Sequence, residues 1–178
     1  LSLRYGKSKE ARSLIQEIKE RHTDNTLLQA LASTSLNAGN EPDFVKKLKT
    51  RIAGKSPYSR ELISKGAVIF KQLCSTCHGA DGKGVKNKEH KMLAPPLYGS
   101  KRVAAADRDV VIRILLHGLS GPVDDKTYPD VMPPMEANDD EWIASVLSYV
   151  RYEFGDDAST VRDDHVKDVR DQTAGRKK

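Results

Sequence analysis

The sequence predicts an all-α protein. Apolar residues recur at i, i+3, i+4 and i+7 in successive stretches, which lays one apolar stripe down each of several helices. Clusters of Gly, Pro, Asn and Asp fall between these stretches, where helices stop and start. The residues leading to the glycine-rich loop 79–84 read as helix rather than strand.

Ala11, Leu14, Ile15 and Ile18 form the first stripe. Asp24 or Thr26 caps a second helix with Leu27, Leu28, Leu31, Ala32 and Leu36 inward, and Asn37-Ala38-Gly39-Asn40 ends it. Pro42, suited to a first helical turn, opens a third with Phe44, Val45, Leu48 and Ile52 facing in. Gly54-Lys55-Ser56-Pro57 breaks the pattern. Short paired helices of this kind belong either to the end of a helical-repeat segment or to a plain helical extension.

A helix resumes at Ser59 or Arg60 and buries Leu62, Ile63, Gly66, Ile69, Phe70 and Leu73. The loop 79–84 fits neither phosphate-loop signature. Residues 86–91 are a charged surface excursion, and Leu93-Ala94-Pro95-Pro96-Leu97 is apolar but, with two prolines, not helix. Asp107 or Asp109 starts a helix with Val110, Val111, Ile114 and Leu115 inward, ending at His117-Gly118. A turn-rich loop then carries Tyr128, Met132 and Met135. Asp139-Asp140-Glu141 places negative charge in the first turn of the last strong helix, as the dipole prefers. Trp142, Ile143, Val146, Leu147, Tyr149, Val150 and Phe154 line it, and Gly155 ends it. The expected organisation is a helical extension (1–57), a central domain (58–155) and a polar tail (156–178) with a weak helix around Val161 to Val169.

The chain's 2 cysteines stand together in Cys74-Ser75-Thr76-Cys77-His78. C-x-x-C-H is the attachment sequence of a c-type haem. Two intervening residues let both sulfurs reach one edge of the macrocycle, and the adjacent His78 lies over the ring centre as a proximal ligand must. Three other chemistries compete: a structural thiol pair, a dithiol redox pair and half a zinc site. Zinc wants four ligands, and no second Cys pair or H-x-x-x-H is present. A redox C-x-x-C wants a preceding strand. The expectation is one haem c, covalent through Cys74 and Cys77, with the glycines of the loop 79–84 letting backbone pass close to the porphyrin edge.

Composition agrees. Hydrophobic content is 38%, aromatic content 6% and charged content 31%; a covalent haem would add flat apolar surface for a lean core to wrap. No apolar run reaches the length of a membrane helix, and Leu1-Ser2-Leu3-Arg4-Tyr5 is not a signal peptide. Attachment of c-type haem is, as a rule of that class, an event outside the bacterial inner membrane, so a periplasmic or extracytoplasmic location is expected. The chain is expected to be a piece of a longer one, because it opens mid-pattern without Met. The net charge of +5 is uneven: 12 Lys/Arg face 6 Asp/Glu over residues 1–60, against 12 and 13 over 61–154. With no nucleic-acid motif in the chain, that basic excess reads as a solvated face or a docking surface for an acidic partner, and nucleic acid is not expected.

Residues 61–155 resemble the class I cytochrome c fold. The matching parts are Lys65-Gly66-Ala67-Val68-Ile69-Phe70, the C-x-x-C-H segment, Gly79-Ala80-Asp81-Gly82-Lys83-Gly84, Pro95-Pro96-Leu97, Met132-Pro133-Pro134 and the helix 143–149. The resemblance implies a crossing of the first and last helices in which Gly66 and Phe70 meet Val146 and Tyr149. Residues 96–103, 116–122 and 128–132, with the tail segments 166–170 and 173–176, carry a narrower likeness. They are similar to the cytochrome domain that closes large secreted haem-binding proteins and sugar or alcohol dehydrogenases. A helical-repeat segment often precedes that domain, which implies that 1–57 is the end of a solenoid.

The resemblance also implies a sixth iron ligand near the last helix. Met132, before Pro133, is the candidate, Met135 the competitor and Met92 a remote one. It implies that the Pro95 carbonyl accepts the second ring N–H of His78. Haem propionates are anionic and want donors, for which Arg102 and Tyr128 are candidates. His117 reads as a helix C-terminal histidine interacting with the dipole. With His78 and Met132 on the iron no substrate position remains, and the thioether favours the ferrous state. The expected function is single-electron transfer from a dehydrogenase-type partner or fused domain toward a respiratory chain, with no catalytic residue of its own. Two alternatives stand beside it. One is a haem enzyme or sensor with an open or displaceable sixth site, needing His90 or His117 as distal acid–base group. The other is an interaction module working through 1–57. Oligomeric state is not indicated.

Overall fold

The computed structural model describes residues 41–174, together with 13, 16, 17, 20 and 21. The chain divides into two compact units, 1–47 and 48–178. In the first, the described helical positions carry exposed i, i+4 pairs: Arg21 with Glu17 at 2.8 Å and Gln16 Nε2 donating to Glu20 at 2.8 Å. The remaining features expected over 1–40 lie outside the described residues. Helix α1 (Asp43–Arg51, helices being numbered over the described residues) starts beyond Pro42, whose carbonyl accepts the N–H groups of Val45 and Lys46.

The second unit is built on α2 (Pro57–Ile69) and α6 (Asp140–Phe154). Ser56 caps α2 by accepting from the Ser59 N–H at 3.2 Å, and Pro57 occupies the first turn, so the helix opens earlier than Ser59. Asp139 caps α6 by accepting from the Trp142 N–H at 2.8 Å. Gly66 is where the two helices touch. A Cβ there would penetrate the Ser145 carbonyl and stand 2.9 Å from Tyr149 Cβ. Alongside, Phe70 packs on Tyr149 and Phe154, with ring centroids 5.4 and 5.2 Å apart.

Beyond Ile69 the chain widens into a π turn (Phe70–Cys74), then re-tightens as α3 (Ser75–His78). Phe70 stays buried, whereas Leu73 is 50% exposed. Two short segments follow, α4 (Lys101–Ala104) and α5 (Asp109–His117). In α5 the buried residues are Val111, Ile112, Leu115 and Leu116, whereas Val110 is 41% exposed. The run Val110-Val111-Ile112 satisfies helical spacing in more than one phase, and packing selects the other one.

The tail differs most from expectation. Its helix, α7 (Asp163–Thr173), packs on α5 and α6 and places Val161, Val166 and Val169 in the same buried cluster as Ile112, Leu116 and Ile143. A few long side chains hold it there. Ser148 Oγ donates to the Val161 carbonyl and accepts from the Val161 N–H, at 2.9 and 3.1 Å. Arg151, 1% exposed, donates to the carbonyls of Val103 and Ser159, both at 2.8 Å. Among the described residues β-pairing is limited to isolated bridges: Lys86–Met92, Leu119–Met132 and Val123–Lys126.

Candidate cofactor site

One cavity gathers most of the residues singled out in the sequence. Cys74, Cys77 and His78 form one part of its wall and Pro95, Pro96 and Leu97 another, while Met132, Pro133 and Met135 come from the loop before α6. Val111, Ile114 and Leu115 of α5, and Val146, Leu147 and Val150 of α6, complete an apolar lining. This explains the two-sided α5: some of its apolar residues face protein and others face the cavity.

The π turn and α3 present the two sulfurs and the imidazole together. Both cysteines are free thiols and only partly covered. Burial, followed by the neighbouring Cys77, pushes the Cys74 thiol up to about 11. His78 lies 3.3 Å from the Pro95 carbonyl through Nδ1, so Nδ1 is the protonated donor and Nε2 is left as the nitrogen with an available lone pair. Burial lowers the His78 pKa, against the smaller raising effect of that hydrogen bond, which favours the neutral, ligating form.

In the same lining, the backbones of Met132 and Leu119 exchange two hydrogen bonds at 3.0 and 3.1 Å. Gly118, with φ of 77°, lets that pairing close: a Cβ there would stand 2.5 Å from the Met132 carbonyl oxygen. Sequence reading took Gly118 only as a helix stop; its positive φ beside a loop is a signal visible only once the loop's return path is known. Met135 is tied separately, its N–H donating to the Leu115 carbonyl at 2.9 Å. Met92 does not line the cavity and packs its methyl group against Gly84 instead.

Arg102 and Tyr128 sit on the rim, where the cavity adjoins a surface cleft that they also line with Tyr98, Lys101 and Lys126. Arg102 grips both oxygens of Asp124, at 2.9 and 2.6 Å. Asp124 and Asp125 have φ of 51° and 60°, forming the tight turn of the Val123–Lys126 bridge that presents the carboxylate. Neither His90 nor His117 lines the cavity. His90 sits in a turn with φ of 60°. His117 Nε2 is 2.8 Å from Thr173 Oγ1, and its Nδ1 faces Glu136 at 3.8 Å. The loop 79–84, expected at the porphyrin edge, does not line the cavity: Gly82 makes room for the Phe154 ring, and its carbonyl accepts from the N–H groups of Leu97 and Tyr98.

A family model described as Cytochrome c matches residues 63–152, half of the chain. The chain belongs to the cytochrome c family. The all-α cytochrome fold read from the sequence is therefore the fold found. Relatives of the cytochrome region include the fructose dehydrogenase cytochrome subunit of Gluconobacter japonicus, 31% identical over 111 residues, which are 59% of this chain and 22% of that protein. Another is the Cbb3-type cytochrome c oxidase subunit FixP of Azorhizobium caulinodans, 28% identical over 102 residues, 57% of this chain and 32% of that protein. The chain thus spans less than a third of either relative's length. Membership implies a covalently bound haem c and haem-based electron transfer. The cavity fits such a group. Two free thiols and a Pro95-oriented histidine share one wall, the lining is apolar, and the large side chains Leu73 and Val131, 50% and 64% exposed, stand at it uncovered. Among the described residues no helix is long and apolar enough to cross a membrane.

Proposed function

We propose that this cytochrome domain is a single-electron carrier in which Cys74 and Cys77 hold one haem c and His78 and Met132 are its axial ligands. Electrons come from a dehydrogenase-type partner or fused domain and leave toward a respiratory chain, on the extracytoplasmic side. The observation that carries the reading is one cavity with Cys74, Cys77 and a Pro95-oriented His78 on one side and the backbone-tethered Met132 on another. Bound haem c supplies a one-electron couple, and His/Met ligation leaves it no open coordination site.

The chain's own residues do the rest. Pro95 fixes the His78 ring and its tautomer. The Leu119 pairing and Gly118 fix where Met132 stands. The apolar walls from α5 and α6 exclude water, which favours the less charged, reduced state of the site. Arg102 and Tyr128 line the cavity beside the surface cleft, which supports them as donors to the carboxylates of the group, Arg102 sharing its charge with Asp124. The relatives are named as subunits of a fructose dehydrogenase and of a Cbb3-type oxidase, and this supports a redox-protein partner.

Intact mass and a reduced-minus-oxidised spectrum of the purified chain test the core of the reading. The expected result is the mass of one covalent haem and a low-spin spectrum with a methionine–iron charge-transfer band. Met132→Ala should abolish that band and Met135→Ala should keep it. The reverse pattern moves the ligand to Met135, and a high-spin iron that binds cyanide rapidly in the unmodified chain revives the enzyme or sensor reading.

A further inference from the structure

We propose that Arg170 on α7 is a positioning residue for the methionine loop, holding residues 133–139 closed so that the sixth ligand stays seated. The proposal rests on the reading of Met132 as that ligand.

The loop leaves the Leu119–Met132 bridge, lines the cavity with Pro133 and Met135, and enters α6 at Asp140. Its upstream end is fixed by the bridge and by the Met135 N–H on the Leu115 carbonyl. In its downstream half one guanidinium gathers two carbonyls and a carboxylate, beside the facing pair of Glu136 and His117. Arg170 donates to the Glu136 carbonyl at 2.8 Å, to the Asn138 carbonyl at 2.9 Å and, through Nε, to Asp140 Oδ1 at 2.9 Å. Asn138 in turn caps the Met135 carbonyl with its backbone N–H at 3.0 Å and its side-chain Nδ2 at 3.1 Å. One planar fork thus satisfies two loop carbonyls and a helix-opening carboxylate, which a lysine ammonium reproduces only in part.

The same helix also grips the other strand of the bridge. The Thr173 hydroxyl donates to the Val169 carbonyl at 2.8 Å, so it accepts from His117 Nε2, at the end of α5 just ahead of Gly118 and Leu119. Arg113 donates to Gln172 at 3.2 Å. α7 therefore touches the chain on both sides of the Met132 pairing. It is a rigid support for doing so, since Val166 and Val169 are buried in the core. His117, considered in the sequence for a distal role, belongs to this brace.

The test compares full-length holoprotein with Arg170→Gln and Arg170→Lys, reading hydrogen exchange by peptide and the rate at which cyanide displaces the sixth ligand. In Arg170→Gln the amides of 135–139 should exchange about tenfold faster, the size of losing a charge-assisted hydrogen bond, with cyanide binding faster in step. Arg170→Lys should recover part of both, and it carries the comparison if the glutamine variant folds poorly. Unchanged loop exchange, faster exchange without faster cyanide binding, or acceleration spread evenly over α5 and α6 would each overturn the proposal. Met132→Ala, run in parallel, reports separately on the parent reading: a retained methionine band there removes Met132 as the ligand whatever Arg170 does.

Discussion

Arg102 and Asp124 lie 22 positions apart in the chain and meet as a two-pronged ion pair at the cavity rim. The hydrogen-bonded guanidinium is the main reason the Asp124 carboxyl is held below its ordinary value, with Lys126 and Lys101 adding smaller attractions. A carboxylate whose folded pKa is depressed adds stability above its unfolded pKa and loses it as pH falls through the folded value. Both partners are exposed to water, so the effect on stability is small. The titration itself is the useful readout. Arg102→Gln should raise the Asp124 midpoint toward its ordinary value, followed by the carboxyl signal in NMR; an unmoved midpoint would show that the pair does not persist in solution. Arg102 was legible from the sequence as a candidate of the site, and it lines the cavity. Asp124 was not, because its role depends on the left-handed turn that lifts it across to Arg102.

At the scale of elements, the crossing of α2 and α6 turns on Gly66. Its Cα hydrogen faces the Ser145 carbonyl, and no side chain fits between. Gly66→Ala would force two buried helices apart at the contact that seats Phe70 and Tyr149. Overpacking of this kind costs about 1–3 kcal/mol, enlarged here because the obstacle is backbone and not a flexible side chain. Denaturant unfolding should show at least that loss; an Ala variant as stable as the parent would mean the helices slide freely. The family resemblance, and no local pattern, implied that Gly66 meets Tyr149, whereas local spacing made α2, α6 and the C-x-x-C-H segment legible. The π turn was not, because a widened turn leaves no periodic signature in five residues. Nor was the phase of α5, whose contiguous apolar residues suit several faces until the cavity and α7 divide them.

For the molecule as a whole, the polar tail turns out to close the core. The stretch 156–178 is rich in Asp, Arg and Lys, and a sequence of that composition gives little sign of packing. Three valines are enough: Val161, Val166 and Val169 have 0%, 0% and 1% exposure and join the cluster that includes α5 and α6. The polar links, Ser148 to Val161, Arg151 to Ser159 and Arg170 to the methionine loop, join partners up to 34 residues apart that no local pattern reveals. Buried valines contribute about 1.5 kcal/mol each or more, so α7 and its approach contribute about 5 kcal/mol, a large fraction of the stability of a small domain. Ending the chain at Asp157 also strips the Ser159 carbonyl from Arg151, leaving a buried guanidinium under-satisfied. In the full-length protein, far-UV circular dichroism and haem absorbance should therefore trace one coincident unfolding transition, with the amides of α7 exchanging no faster than those of α6. The shortened chain should unfold at far lower denaturant, with its methionine band lost before its helices melt. A truncated protein with an unchanged midpoint would mean that α7 rests on the domain without stabilising it.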